Sequence, residues 1–134
     1  MPVLTIRASE RSAADKDTAM LIENLNQLGT IYRRKKNLED CIANFEEALH
    51  LCELCGNYNT VAFIYGNIAT AYCDWDRPED AISFSEKALK YALKTDNKRR
   101  IGTCYVNLGA ILVRMEKMRT EGIDTLLKAI PFLE

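Results

Sequence analysis

Three prolines and six glycines are spread through 134 residues, so little in the chain breaks regular backbone structure. There is one histidine, His50, and no glycine-rich phosphate loop, which removes the usual materials of acid–base catalysis and nucleotide cradling. Neither sign of charge dominates: 18 basic against 19 acidic side chains leave a formal charge of −1. A general nucleic-acid binder, whose affinity rests on neutralising phosphates, is disfavoured by that balance. Apolar runs are too short to span a bilayer, and Met1 to Lys16 holds no stretch of signal-peptide length. These features lead to the expectation of a cytoplasmic protein with no membrane contact.

The five cysteines (Cys41, Cys52, Cys55, Cys73 and Cys104) are an odd number in a chain large enough to fold without staples. They are expected as small apolar residues in a reducing compartment. Cys52 and Cys55 have the spacing of a metal or redox pair, but no second pair completes a site. His50 precedes Cys52 by two residues, about 200° around a helix, so the two side chains diverge. The expectation is no metal, no cofactor and no catalytic residue.

What the chain has is a repeat. Leu25-Asn-Gln-Leu28-Gly29-Thr-Ile-Tyr32 returns as Tyr65-Gly-Asn-Ile68-Ala69-Thr-Ala-Tyr72 and again as Tyr105-Val-Asn-Leu108-Gly109-Ala-Ile-Leu112. Both offsets are 40 residues (65 − 25 and 105 − 65). A second element, Leu38 to Leu49, returns as Pro78 to Leu89 and as Arg119 to Ile130, offset by 40 and then 41, so the last turn carries one extra residue. Apolar or small residues recur at three- and four-residue spacing in each element, the mark of an amphipathic helix. Gly29, Ala69 and Gly109 would let the second helix of each pair approach closely, and Ala48, Ala88 and Ala129 would do the same between pairs. Asn37 is a candidate cap for the helix starting at Leu38, and Asp76 to Glu79 reads as a capping box with Pro78 in the first turn.

These residues resemble the tetratricopeptide-repeat family, whose pattern is matched at Leu25, Leu28, Gly29, Tyr32, Phe45 and Ala48. The second copy matches at Tyr65, Ile68, Ala69, Tyr72, Ala81 and Ala88, and the third at Tyr105, Leu108, Gly109 and Ala129. Cys41, Gly122, Ser85, Leu126 and Leu112 depart from it. The repeat exceeds the family's usual length of about 34 residues. It looks like the long-repeat branch of kinesin light chains, GoLoco-binding polarity scaffolds and many bacterial regulators. The resemblance implies an all-α fold, a right-handed α-solenoid of antiparallel hairpins. Expected boundaries are a leading helix over 1–17, repeats over 18–57 and 58–96, and a third over 97–134 with a short last helix. Leu4 to Ala14 would lie where the second helix of a preceding hairpin belongs, making the chain a segment of a longer array or a short array completed by self-association through its ends.

The resemblance implies a protein- or peptide-binding scaffold, with the first helix of each repeat lining a concave groove. The candidate binding residues are Gln27, Thr30, Arg33, Arg34, Phe63, Asn67, Thr70, Asn107 and Arg114. Gln27, Asn67 and Asn107 would form a ladder of amides able to pair with an extended peptide backbone. Arg33, Arg34 and Arg114 would favour an acidic partner. The Lys-and-Asn clamp of chaperone-docking members is mostly absent, with threonine at Thr30 and Thr103, which disfavours docking through that clamp. Two further readings stay open: a self-associating structural module, and the sensory array of a larger bacterial regulator.

Overall fold

The computed structural model describes residues 8–55 and 57–133, and the described residues form helices and turns with no strand. In chain order these are α1 (Ala8–Arg34), α2 (Leu38–Cys55), α3 (Tyr58–Asp74), α4 (Pro78–Ala92), α5 (Lys98–Arg114), α6 (Arg119–Leu127) and α7 (Ile130–Leu133). A 3-10 turn over Glu116–Met118 precedes α6. Each helix packs on its chain neighbour, α1 on α2, α3 on α4 and α5 on α6, and successive pairs meet through α2 with α3 and α4 with α5. The fold is an all-α solenoid of three hairpins.

The first two hairpins turn in the same way. Lys36 and Asp76, 40 residues apart, take left-handed φ of 64° and 59°. The Lys36 N–H donates to the Arg33 carbonyl, and that of Asn37 to Tyr32. Asp76 and Arg77 repeat this onto Cys73 and Tyr72. Both turns are Schellman motifs, which satisfy the last carbonyls of the first helix and reverse the chain. Asn37 then caps α2, its Oδ1 accepting from the Asp40 N–H at 3.3 Å. The expected capping box at Asp76 does not form: Asp76 is spent on the left-handed turn, and Arg77 holds the cap position of α4 with no side-chain bond, ahead of Pro78. Asn57 and Asn97 cap α3 and α5 by accepting from the N–H groups of Thr60 and Arg100. The third turn absorbs its extra residue as the 3-10 segment.

Two segments differ from the sequence expectation. Ala8 to Asp17 belongs to the same helix as Leu25, so within the described residues the leading segment is not a separate second helix but the start of α1. Its physical reason is the absence of any Gly or Pro between Ala8 and Leu28. Residues 1–7, part of the same expectation, lie outside the described residues. At the other end the last helix divides in two, because Pro131 offers no N–H to the Leu127 carbonyl, where α6 ends.

Each hairpin closes on small residues. Ala48, Ala88 and Ala129 are all buried. A methyl added to Gly29 would lie 2.7 Å from the Phe45 ring. One added to Gly122 would lie 2.6 Å from the backbone nitrogen of Val113. In the second hairpin Ala69 stands for Gly29 and Ser85 for Phe45, so one side gains a methyl where the other loses a ring. The core runs from Ile22 and Leu25 through Phe45, Val61, Ile64 and Ile68 to Ile101 and Cys104.

Candidate peptide-binding groove

Helices α1 and α3 form the two walls of a groove of about 1130 Å³, to which the last turn of α2 also contributes. From α1 it takes Ile22, Glu23, Asn26, Gln27, Thr30, Ile31 and Arg34; from α3, Thr60, Phe63 and Asn67; from α2, Cys52 and Leu54. These positions step by three and four along each helix, so a single face of α1 and a single face of α3 look into the same space. Ile31, Phe63 and Leu54 supply exposed apolar surface, with Leu54 the most exposed at 74%. Glu23 and Arg34 lie three turns apart on α1, giving the groove opposite charges at its two ends.

Five of the nine residues picked from the sequence line this groove: Gln27, Thr30, Arg34, Phe63 and Asn67. The other four do not. Arg33 Nε donates to Asp74 Oδ2 at 2.6 Å, an ion pair that ties the end of α1 to the end of α3. Thr70 lies outside the lining, its hydroxyl donating to the Gly66 carbonyl at 3.0 Å. Asn107 is exposed on α5 beyond the groove. Arg114 borders a separate small hollow of about 150 Å³ beside Cys73, Pro78 and Ile111.

Inside the groove the polar groups are unequally satisfied. The Thr30 hydroxyl donates to the backbone carbonyl of Asn26 at 3.0 Å. The side-chain Oδ1 of Asn26 is buried and has no hydrogen-bond partner among the described residues. An acceptor closed off from water in that condition costs about 1–3 kcal/mol. The Arg100 guanidinium lies over the Phe63 ring, 4.9 Å from its centroid. Arg100 Nε also donates to Asn59 Oδ1 at 3.4 Å, and Asn97 Nδ2 to the same oxygen at 3.1 Å. The start of α5 thereby braces the α3 wall.

Leu54, Ile31, Asn57 and Thr60 escaped the sequence reading, which considered only first helices at positions equivalent from repeat to repeat. Leu54 was detectable as an apolar residue on a stretch whose buried stripe runs through Ala48 and Cys52. A second structure was also missed. Tyr58, Tyr65 and Tyr72 recur every seven residues on α3, and Phe84 and Tyr91 do so on α4. Their rings make a continuous series from Trp75 to Tyr72, Phe84, Tyr65, Tyr91 and Tyr58, with centroids 5.3–6.1 Å apart. Arg77 lies over Tyr72 and Trp75, Lys87 over Phe84 and Tyr65, and Lys94 over Tyr91 and Tyr58. Trp75 is accordingly a packing anchor for its turn. Tyr65 points away from Asn67, two residues on, and its hydroxyl donates to Glu53 at 3.4 Å. Burial first, and then the Glu53 charge, pushes its pKa up to about 12.

Burial raises the pKa of Cys41, Cys73 and Cys104, the last to about 11, away from the thiolate form that reacts. His50 is exposed and Cys52 buried, so they do not converge. No group of metal-binding side chains occurs among the described residues, and no described helix is long and apolar enough to cross a membrane.

Stacked helical hairpins with a grooved face define a helical-repeat scaffold. The tetratricopeptide-repeat model matches residues 20–94, more than half of the chain, and the chain belongs to that family. Repeats of this family generally mediate protein–protein interactions and are typically non-enzymatic. Among solved structures, the chain is similar to BtubC (BKLC) from P. vanneervenii, at 21% identity and a TM-score of 0.69 over 84% of this chain and 46% of that one. That likeness is one of fold, and the chain spans about half the length of the structure it matches. A comparison with curated protein sequences gives no match.

Proposed function

We propose that the chain is a cytoplasmic interaction module that takes an extended peptide segment of a partner protein into the groove between α1 and α3. The carrying observation is the groove itself, where the amides of Asn26, Gln27 and Asn67 and the apolar side chains of Ile31, Leu54 and Phe63 line one space together with Glu23 and Arg34. Gln27 and Asn67 offer both donors and acceptors to the backbone of an extended segment, whatever its sequence. Ile31, Leu54 and Phe63 favour an apolar side chain on the bound segment, and Arg34 favours an acidic residue at its end of the groove. The amide ladder is therefore proposed as Gln27 with Asn67, and Asn107 makes at most an outlying contact.

A random peptide library panned against the chain provides the ligands, and fluorescence anisotropy of the selected peptides provides the test. Gln27→Ala with Asn67→Ala is expected to weaken binding by about 1–3 kcal/mol without lowering the melting temperature. Arg34→Ala is expected to discriminate against peptides with an acidic residue only. Full affinity in the double variant would remove the groove from the account.

A further inference from the structure

One face of each first helix stays open where hairpins stack. Glu23, Gln27 and Arg34 on α1 recur as Phe63, Asn67 and Asp74 on α3 and as Thr103, Asn107 and Arg114 on α5, at offsets of 40. None of these nine is buried, although α3 has helices packed on both sides of it, α2 on one and α5 on the other. The openness of Glu23 and Arg34 thus belongs to the position and is the same where neighbours stand on both sides. The two ion pairs among the described residues are Arg33–Asp74 and Arg77–Asp80, so Glu23 and Arg34 line the groove with no opposite charge bound to them. Arg33 is neutralised by Asp74, which leaves Arg34 as the uncompensated charge at that end. At the other end the position matching Glu23 on the facing wall is Phe63. Arg100 reaches this end from α5, but it is engaged by the Phe63 ring and by Asn59 Oδ1.

We infer that the groove selects a bipolar segment, an extended stretch of the partner with a basic residue at Glu23 and an acidic residue at Arg34, about five positions apart. This inference rests on the groove being the binding site. Eleven residues separate the two charges along α1 (34 − 23). That is a rise of about 16 Å, which an extended chain covers in about five residues. Beside Glu23, the exposed Phe63 and Leu54 take the methylene stem of the lysine or arginine, whose charged tip stays with the carboxylate. Between the charges, Gln27 and Asn67 pair with backbone and leave the intervening side chains unspecified. A wholly acidic segment meets Glu23 and a wholly basic one meets Arg34, so each is rejected by a like charge. Both charges are exposed, and they fix the register of the segment more than they add affinity.

Panning the random peptide library against the wild type and two variants tests this. The wild type is expected to enrich segments carrying Lys or Arg and Asp or Glu about four to six positions apart. Glu23→Lys should move the enrichment to segments acidic at both places, and Glu23→Lys with Arg34→Glu should restore opposite charges. In fluorescence anisotropy at low salt, replacing the basic residue of a selected peptide by Ala should weaken binding to the wild type about two- to fivefold. The same replacement should change nothing on Glu23→Gln. Circular dichroism melts report that each of these surface variants is folded. Equal losses on the wild type and on Glu23→Gln, or one charge pattern from all three pannings, overturn the inference. The groove reading survives that result if Gln27→Ala with Asn67→Ala still weakens the selected peptides. Peptides indifferent to that amide variant bind elsewhere, and the groove reading and the inference then fall together.

Discussion

The first and second hairpins meet the same requirement with opposite materials. In the first, Gly29 carries no side chain and Phe45 fills the contact, its ring at the distance a methyl would need. In the second, Ala69 takes up that methyl's room and Ser85 stands where the ring would be, both buried. The second hairpin also carries the row of aromatics along α3 and α4, for which the first hairpin has one aromatic, Tyr32, with Leu25 and Leu51 at two other matching positions. The same turn and the same 40-residue spacing are therefore compatible with very different side chains in the contact between the paired helices.

The largest effect separating the hairpins is expected at Phe45. Phe45→Ala opens a cavity in a fully buried site and should cost about 3–5 kcal/mol in urea melts. Ser85→Ala, at the matching position, should be neutral or stabilising by up to about 1 kcal/mol, because the Ser85 Oγ is buried with no partner among the described residues. Equal losses at both positions would break the comparison. Next in size is the reverse exchange. Ser85→Phe overpacks against Ala69 and should cost about 1–3 kcal/mol. Adding Ala69→Gly is expected to restore part of that, and an additive double variant would show that the two sites do not face each other.

A smaller effect is expected where the two hairpins agree. Lys36 and Asp76 both adopt left-handed backbone without being glycine. Lys36→Gly should stabilise by about 1 kcal/mol, and Asp76→Gly by less, since Asp tolerates this region better than Lys. The smallest appears at alkaline pH and belongs to the second hairpin alone. Tyr65 has a folded pKa raised from 10.0 to about 12. Unfolded chains release that proton first, so the contribution is intact below about pH 10 and declines as pH rises through 12. Tyr65→Phe is expected to flatten the fall in melting temperature over that window, and an unchanged slope would contradict the burial assigned to the ring.

Much of this was readable from residues alone, for a physical reason. The 40-residue recurrence of Leu-Gly-x-x-Tyr-type stretches reports which faces are buried, and burial in stacked hairpins repeats as the hairpins do. The cap at Asn37 was legible because an Asx side chain acts on N–H groups only three residues away, whereas the like caps at Asn57 and Asn97 went unread. The Asp76 turn was misread because the same residue suits both a cap and a left-handed position, and only the chain reversal decides between them. The groove was half legible. Equivalence between repeats located Gln27 and Asn67, but it also brought in Asn107, whose neighbours on α5 do not continue the groove. Leu54 enters from the end of a second helix, and Arg33 leaves because Asp74 lies within reach of it. Such facts depend on how one hairpin is rotated against the next, which no single stretch of sequence encodes.

The central claim, that α1 and α3 receive the partner, is tested most directly by titrating the nitrogen-15-labelled chain with a selected peptide and following its amide and side-chain NH₂ signals. The account predicts shifts concentrated at Asn26, Gln27, Phe63 and Asn67, with the Asn107 side chain moving little. Shifts confined to the Tyr72–Tyr91 aromatic row would contradict it.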